Sequence, residues 1–237
     1  MQERYLGDIH DYFKFLFLKF LSKTLKIKIG LNWFLVDPDD MGEKEKNKND
    51  GEKRKYLYDV DMKNYDQLLI KELKLFKNTN KRNLIKFTQN SHLESYIKFF
   101  NNKLTVNNRE SWIQDSLRKL KDQNIFFLDP DNGFSENKRG KASLKYLLPE
   151  DCRKILNENK IIIFTQFQSF NINHQLQIIK LKKSLQNYKF KVLKSVIRNR
   201  TAPNTFFITI SSNNISQKFD NIFEEYSKKY DRVELVE

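Results

Sequence analysis

Two acidic turns carry the residues whose types and spacing suit chemistry. Asn124-Ile125-Phe126-Phe127-Leu128 is an apolar run that stops at Asp129-Pro130-Asp131-Asn132-Gly133. Gly30-Leu31-Asn32-Trp33-Phe34-Leu35-Val36 stops in the same way at Asp37-Pro38-Asp39-Asp40. Each reads as a core strand whose carboxyl end presents acids, with Pro or Gly forcing the turn. Ligands of open α/β sheets bind outside the carboxyl ends of strands. If both turns lie on one edge of a parallel sheet, they gather four or five carboxylates, which raise one another's pKa or recruit a cation. Asp129, Asp131 and Asp37, helped by Asp39 or His10, then form a hard-oxygen site for Mg²⁺, able to activate water against a phosphodiester.

A third cluster is Gly7-Asp8-Ile9-His10-Asp11. A His between two acids can bind a metal, act as a base or help to cap a helix. Asp8 and Asp11 stand where a helix start favours carboxylates. Just after the second strand end, Phe134 precedes a loop with Lys138, Arg139 and Lys141 around Gly140. Those cations can contact phosphate, although the Gly-Lys-Ser/Thr ending of a P-loop is absent. Cys152 stands alone, so a disulfide framework or a thiolate metal site within the chain is excluded.

The elements that must position these residues follow from hydrophobic period. Asp8 to Leu25 reads as a helix through Phe13, Leu16, Phe17, Phe20 and Leu21, and Ile27 to Val36 as a strand. Glu43 to Lys55 lacks an apolar residue and reads as a solvated surface insertion at about 42–56. Lys63 to Phe76 is expected as a helix, Leu84 to Phe87 as a short strand, and Ser91 to Phe100 and Asn107 to Lys121 as helices. Pro149 to Leu156 starts with Pro in a helical first turn. Lys160 to Gln166 is a β-branched run suited to a sheet covered on both faces. A helix from His174 to about Gln186, strands at Phe190–Val196 and Thr205–Ile210, a helix at Phe219–Lys229 and a strand at Val233–Val236 complete the chain. This alternation predicts a single α/β domain over residues 1–237: doubly wound, with a mostly parallel sheet and helices on both faces.

Composition bounds the partners. Lys and Arg number 44 against 30 Asp and Glu, a net charge of +14, which points to nucleic acid, DNA or RNA, as polyanionic partner. Asp8, Asp11, Lys14 and Lys19 interrupt the apolar N-terminal stretch, so neither a signal peptide nor a membrane span is expected, and the chain reads as cytoplasmic. Nothing in the sequence sets an oligomeric state.

The stretch Phe127-Leu128-Asp129-Pro130-Asp131-Asn132-Gly133 resembles the Asp-Pro-Pro-Tyr motif of amino-methyltransferases that act on adenine. The layout is similar to that of the Rossmann-like bacterial enzymes that methylate adenine in 23S ribosomal RNA. Gly7 to Lys14 would match their N-terminal segment, Trp33 to Asp37 the strand before the cofactor loop, and Ile161 to Gln166 the strand after the catalytic motif. The resemblance spans about Gly7 to Ser169. It implies S-adenosyl-L-methionine as methyl donor, held near Asp37, Asp39 and Asp8. It also implies that Asp129 and the carbonyl of Pro130 accept hydrogen bonds from the target amino group, turning its lone pair toward the donor. Asp131 stands in place of the second Pro, and Asn132 in place of the aromatic that stacks on a flipped base, a task Phe134 could take over. Asp37-Pro38-Asp39-Asp40 replaces a Gly-rich turn. Three activities therefore stand as expectations: methyl transfer to nucleic acid, Mg²⁺-dependent nuclease action of restriction or defence type, and non-catalytic nucleic-acid binding on the same fold.

Overall fold

The computed structural model describes residues 1–42, 53–214 and 217–237. The described helices are α1 (Ile9–Leu25), α2 (Pro38–Met41), α3 (Val60–Tyr65), α4 (Gln67–Lys74), α5 (Leu84–Asn90), α6 (Arg109–Lys119), α7 (Pro149–Asn157), α8 (His174–Asn187) and α9 (Gln217–Lys229). The strands are β1 (Ile29–Asn32), β2 (Ile97–Phe100), β3 (Ile125–Leu128), β4 (Ile161–Phe167), β5 (Lys191–Val192), β6 (Val196–Asn199), β7 (Thr205–Ser211) and β8 (Val233–Val236). They form one sheet in the order β2-β1-β3-β4-β7-β6-β8, with β5 also paired to β7. The pairs β1–β2, β1–β3 and β3–β4 are parallel, and those of β7 with β4, β5 and β6 and of β6 with β8 are antiparallel. Thus β7 and β8 run against a sheet that is otherwise parallel, and the expected α/β fold with helices on both faces is present.

Side-chain alternation along the strands builds two cores. Ile29, Leu31, Ile125, Phe127, Ile163 and Phe207 face the helices α1, α3, α4, α5 and α9. Phe126, Leu128, Ile162, Phe164, Phe206 and Ile208 face α6, α7 and α8. Helix α1 is buried over most of its circumference, which suits a helix wedged between the sheet and other helices. Its Phe17 ring lies 4.9 Å from Phe207, 5.1 Å from Tyr226 and 5.4 Å from Phe223. Among the described residues no helix is long and apolar enough to cross a membrane.

Several elements differ from the sequence expectation. Leu84 to Phe87 is helical, because the Asn83 side chain accepts a hydrogen bond from Lys86 N and caps the turn. Ser91 to Phe100 splits into a 3-10 turn at His92–Ser95 and the edge strand β2. Lys63 to Phe76 breaks at Asp66, whose carboxylate caps α4 through Leu69 N. The strand expected over Ile27 to Val36 shrinks to β1, since the Asn32 side chain accepts from Phe34 N and Phe34 turns to φ +49°. Phe190 to Val196 divides into β5 and the start of β6. Most of the charged insertion lies outside the described residues, but its end is not a solvated loop. Arg54 is buried and donates to the carbonyls of Arg4 and Leu6, and Tyr56 is buried beside it.

Phe17 joins α1, β3, β7 and α9, so Phe17→Ala should lower unfolding free energy by about 3–5 kcal/mol in denaturant titration. A loss below about 1 kcal/mol would contradict this packing.

Candidate active-site cleft

The chain visits β1, moves to β2 on one side, then crosses to β3 on the other. The reversal leaves a switch point between β1 and β3, the place where a doubly wound sheet opens a crevice at its carboxyl edge. A cleft of about 270 Å³ lies beside it, over the carboxyl ends of β3 and β4. Asp129, Pro130, Asp131 and Asn132 come from the end of β3, Phe167 from the end of β4, and Asp8, His10, Asp11 and Lys14 from the start of α1.

The floor is an ion cluster. Lys14 Nζ donates to Asp11 Oδ1 at 2.6 Å and to Asp129 Oδ2 at 2.5 Å, with the lysine side chain 3% exposed. The other oxygen of Asp129 accepts from Thr165 Oγ1 at 2.9 Å. The ammonium also stands 4.6 Å from the centre of the Trp33 ring, whose face favours a cation. Asp11 Oδ2 accepts from Gly7 N, and Asp8 caps α1 by accepting from His10 N and Asp11 N. Asp131 meets the Met1 amino group at 2.9 Å and Gln2 Nε2 at 3.3 Å.

A second set of contacts fixes the acidic turn. Gly133 has φ +83°, and a Cβ there would sit 2.2 Å from Gln166 Oε1. That close approach lets Gln166 Oε1 accept from Phe134 N at 2.9 Å. Asn132 N donates to Lys145 O, Leu147 N to Gly133 O and Ser135 N to Leu147 O, clasping the turn to the segment beyond the basic loop. Arg109 holds that segment through the carbonyls of Ser143 and Tyr146 and pairs with Asp151. The clasp places Lys145 on the cleft, and Lys53 joins it.

Burial shifts the titrating groups. It lifts the carboxyls of Asp8 and Asp11 to about 6, against the opposing pull of Lys14. Burial, then the charge of Lys53, lowers the His10 imidazole to about 4. For Lys14, burial works against the charged form, but Asp11 and Asp129 outweigh it and the net shift is upward. The His10 ring packs edge-on against Phe167 at 5.2 Å, and its buried Nδ1 has no hydrogen-bond partner among the described residues.

The structure therefore unites Asp129, Pro130, Asp131, His10 and Asp8. It does not bring in the acids after β1. Asp37 pairs with Lys103 at 2.7 Å on the surface and caps α2 through Asp39 N, and neither Asp37 nor Asp39 lines the cleft. Phe134 is a core residue, its ring packed on Phe164 and Tyr188, and is not placed to stack on a base. Lys138, Arg139 and Lys141 are exposed on the loop outside the cleft, with Lys138 over the Tyr146 ring. Cys152 is buried, which pushes its thiol up, as expected for a packed side chain. Sequence reasoning missed Lys14, Thr165, Lys53 and Lys145 as site residues. The available signal for Lys14 was a lysine three residues after Asp11 inside an aromatic-rich helix.

Lys14→Met should cost about 3–5 kcal/mol of stability in denaturant titration, because it leaves two buried carboxylates without their cation. Unchanged stability would contradict the ion cluster. The imidazole C–H signals of His10 should titrate at about 4, and a midpoint near the ordinary histidine value would refute its burial. The sign follows from linkage: a lowered folded-state pKa makes His10 contribute stability that grows as pH rises from about 4 toward about 6.5. Asp8 and Asp11 act oppositely, losing their contribution as pH rises through about 6. Comparison with protein-family models, with curated proteins and with solved structures gave no match to this chain.

Proposed function

We propose that the cleft recognises an amino-bearing base of nucleic acid, adenine being the base that the Asp129-Pro130 resemblance implies. The observation that carries this is half-buried His10, its enclosed Nδ1 unpartnered, in a cleft lined by Asp129 and Pro130. The Asp129 carboxylate and the Pro130 carbonyl are acceptors for an exocyclic amino group. The neutral imidazole offers a further polar atom to a planar ring, and Phe167 gives an apolar wall. A volume of about 270 Å³ is near the lower limit of ligand pockets, about 300 Å³. It suits one base or one nucleotide and not a base together with a nucleoside donor.

A backbone-lined seat for S-adenosyl-L-methionine would lie at the residues after β1. Trp33, Phe34, Leu35 and Val36 are all buried there. The Met1 amino group donates to Phe34 O at 2.7 Å, and Val36 N donates to Met1 O at 2.9 Å. The chain's own residues fill this turn, so they do not fit the donor. Mg²⁺ fares no better at the acids: Lys14 holds the position between Asp11 and Asp129, and among the described residues no group of three or more His, Cys, Asp or Glu is arranged for a metal. The proposed activity is therefore base recognition, with Asp129 as the residue that touches the base.

Short single-stranded oligonucleotides carrying one adenine should bind about 10-fold tighter than the same strands carrying unsubstituted purine, which lacks the amino group. Asp129→Asn should abolish that preference in a variant whose melting curve confirms folding. Equal affinity for the two strands, or a preference unchanged by the substitution, would reject the proposal. Heat released by S-adenosyl-L-methionine in a metal-free titration would overturn the conclusion that the turn after β1 does not fit a donor.

A further inference from the structure

Charge is unevenly placed along the chain. No Asp or Glu stands between Glu158 and Asp220, a stretch that holds ten of the 44 Lys and Arg. A composition rich in lysine would by itself scatter acids through this stretch as it does elsewhere. The fold gathers part of the excess on α8 and the turn after it. Lys180, Lys183 and Gln186 follow one another at three-residue spacing, so they form a row along one side of the helix. Gln186 lines a groove together with Lys189 and Lys191, which joins the row to the turn into β5. All four lysines are exposed, and none has an ion-pair or hydrogen-bond partner among the described residues. The charged groups around them are engaged. Lys182 Nζ donates to Lys194 O at 2.5 Å, and Lys194 pairs with Glu237. Asp220, which also lines the groove, accepts from Ser195 Oγ at 2.5 Å, and Glu136 accepts from Ser184 Oγ at 2.5 Å. A helix carboxyl end favours cations in its last turn, but Lys180 and Lys183 lie before that turn.

We propose that this face of α8 and the groove beyond its carboxyl end dock the phosphate backbone of a nucleic acid, with Lys180, Lys183, Lys189 and Lys191 as the phosphate contacts. Unpaired cations gathered on one face attract a polyanion. Lysine is a point charge on a flexible stem and lacks the planar fork that reads a base edge, so the surface holds a strand whatever its sequence. From Lys180 to the end of α8 the row runs about 10 Å, the axial length of about three nucleotides of one strand in a duplex. Leu176 and Ile179 are exposed on the same helix, but they stand nearer its start and share the lysines' side. A helix lying in a membrane surface instead sets its apolar side chains opposite its charged ones, which favours the nucleic acid. The surface belongs to α8 and β5, apart from the cleft, and stands whether or not a base enters there.

The test is binding of a fluorescein-labelled oligonucleotide of mixed sequence, as a single strand and as a duplex, to the full chain between about 50 and 200 mM salt. Lys180→Gln/Lys183→Gln/Lys189→Gln/Lys191→Gln should lower the slope of log affinity against log salt by about 3, slightly less than one for each lysine removed. The melting curve should stay unchanged, since all four side chains are exposed. Lys138→Gln/Arg139→Gln/Lys141→Gln, on the exposed loop, should lower the slope by less than about 1. A fall of less than about 2 in the α8 variant, or one matched by the loop variant, overturns the surface. Binding to vesicles containing phosphatidylserine with none to either oligonucleotide overturns it as well. Base recognition is read separately. If strands carrying adenine and unsubstituted purine bind alike while the α8 substitutions still lower the slope for both, this surface stands and recognition at Asp129 fails.

Discussion

The ammonium of Lys14, clamped between Asp11 and Asp129, is the interaction on which the rest of the cleft depends. It ties the first helix to the end of the third strand across 115 residues of chain. Removing such charges from water costs several kcal/mol per ion, recovered when the geometry is close and the remaining lone pairs are filled. Here Thr165 bonds the second oxygen of Asp129, Gly7 N bonds the second oxygen of Asp11, and the Trp33 face lies against the cation. A hydrophobic trio in the same space would serve stability as well or better. A charged trio at the carboxyl edge of the sheet, within a helix otherwise rich in Phe and Leu, therefore argues for position and charge and not for core strength.

The acids around this trio are held by backbone as much as by side chains. Asp129 N continues the ladder onto Asn32 O, and Asn32 in turn bonds Ser116 and ends β1. Gln166 reaches into the space a Cβ on Gly133 would fill and holds the main chain of the turn from the neighbouring strand. The far side of the turn is clasped to residues 145–147. Asp129, Pro130 and Asp131 are thus fixed from β1, from β4 and from the loop beyond, which is how a recognition surface stays organised before any ligand arrives.

How far the sequence revealed this arrangement depended on the range of the forces involved. The runs that became β3, β4, β7 and β8 were legible because β-branched and aromatic residues between polar boundaries describe a buried strand locally. Asp129 was legible as a strand-end acid for the same reason. The stretches that became β2 and α5 were not, since each is too short for its period to choose between strand and helix, and the choice fell to the Asn83 cap and the edge of the sheet. Lys14 read as a break in an apolar face because its partner Asp129 lies far along the chain. Asp37 misled for the converse reason. Its turn copies the Asp129 turn in composition, but β1 ends early at Asn32, and the four residues between carry Asp37 out to Lys103.

Net charge and local charge also part company. The chain carries +14, yet its cleft is floored by acids, two of which titrate at about 6. The excess of lysine supplies a long-range field that draws a polyanion and is screened by salt within about 10 Å at 0.1 M. The buried acids act at contact distance and are screened far less. Under the proposed base recognition, a polyanion would approach for its phosphates, whereas entry to the floor would be decided by the group that can donate hydrogen bonds to Asp129 and Pro130. As pH rises through about 6, Asp8 and Asp11 ionise and the floor grows more negative. That change favours a donating amino group at the floor and opposes an anion there.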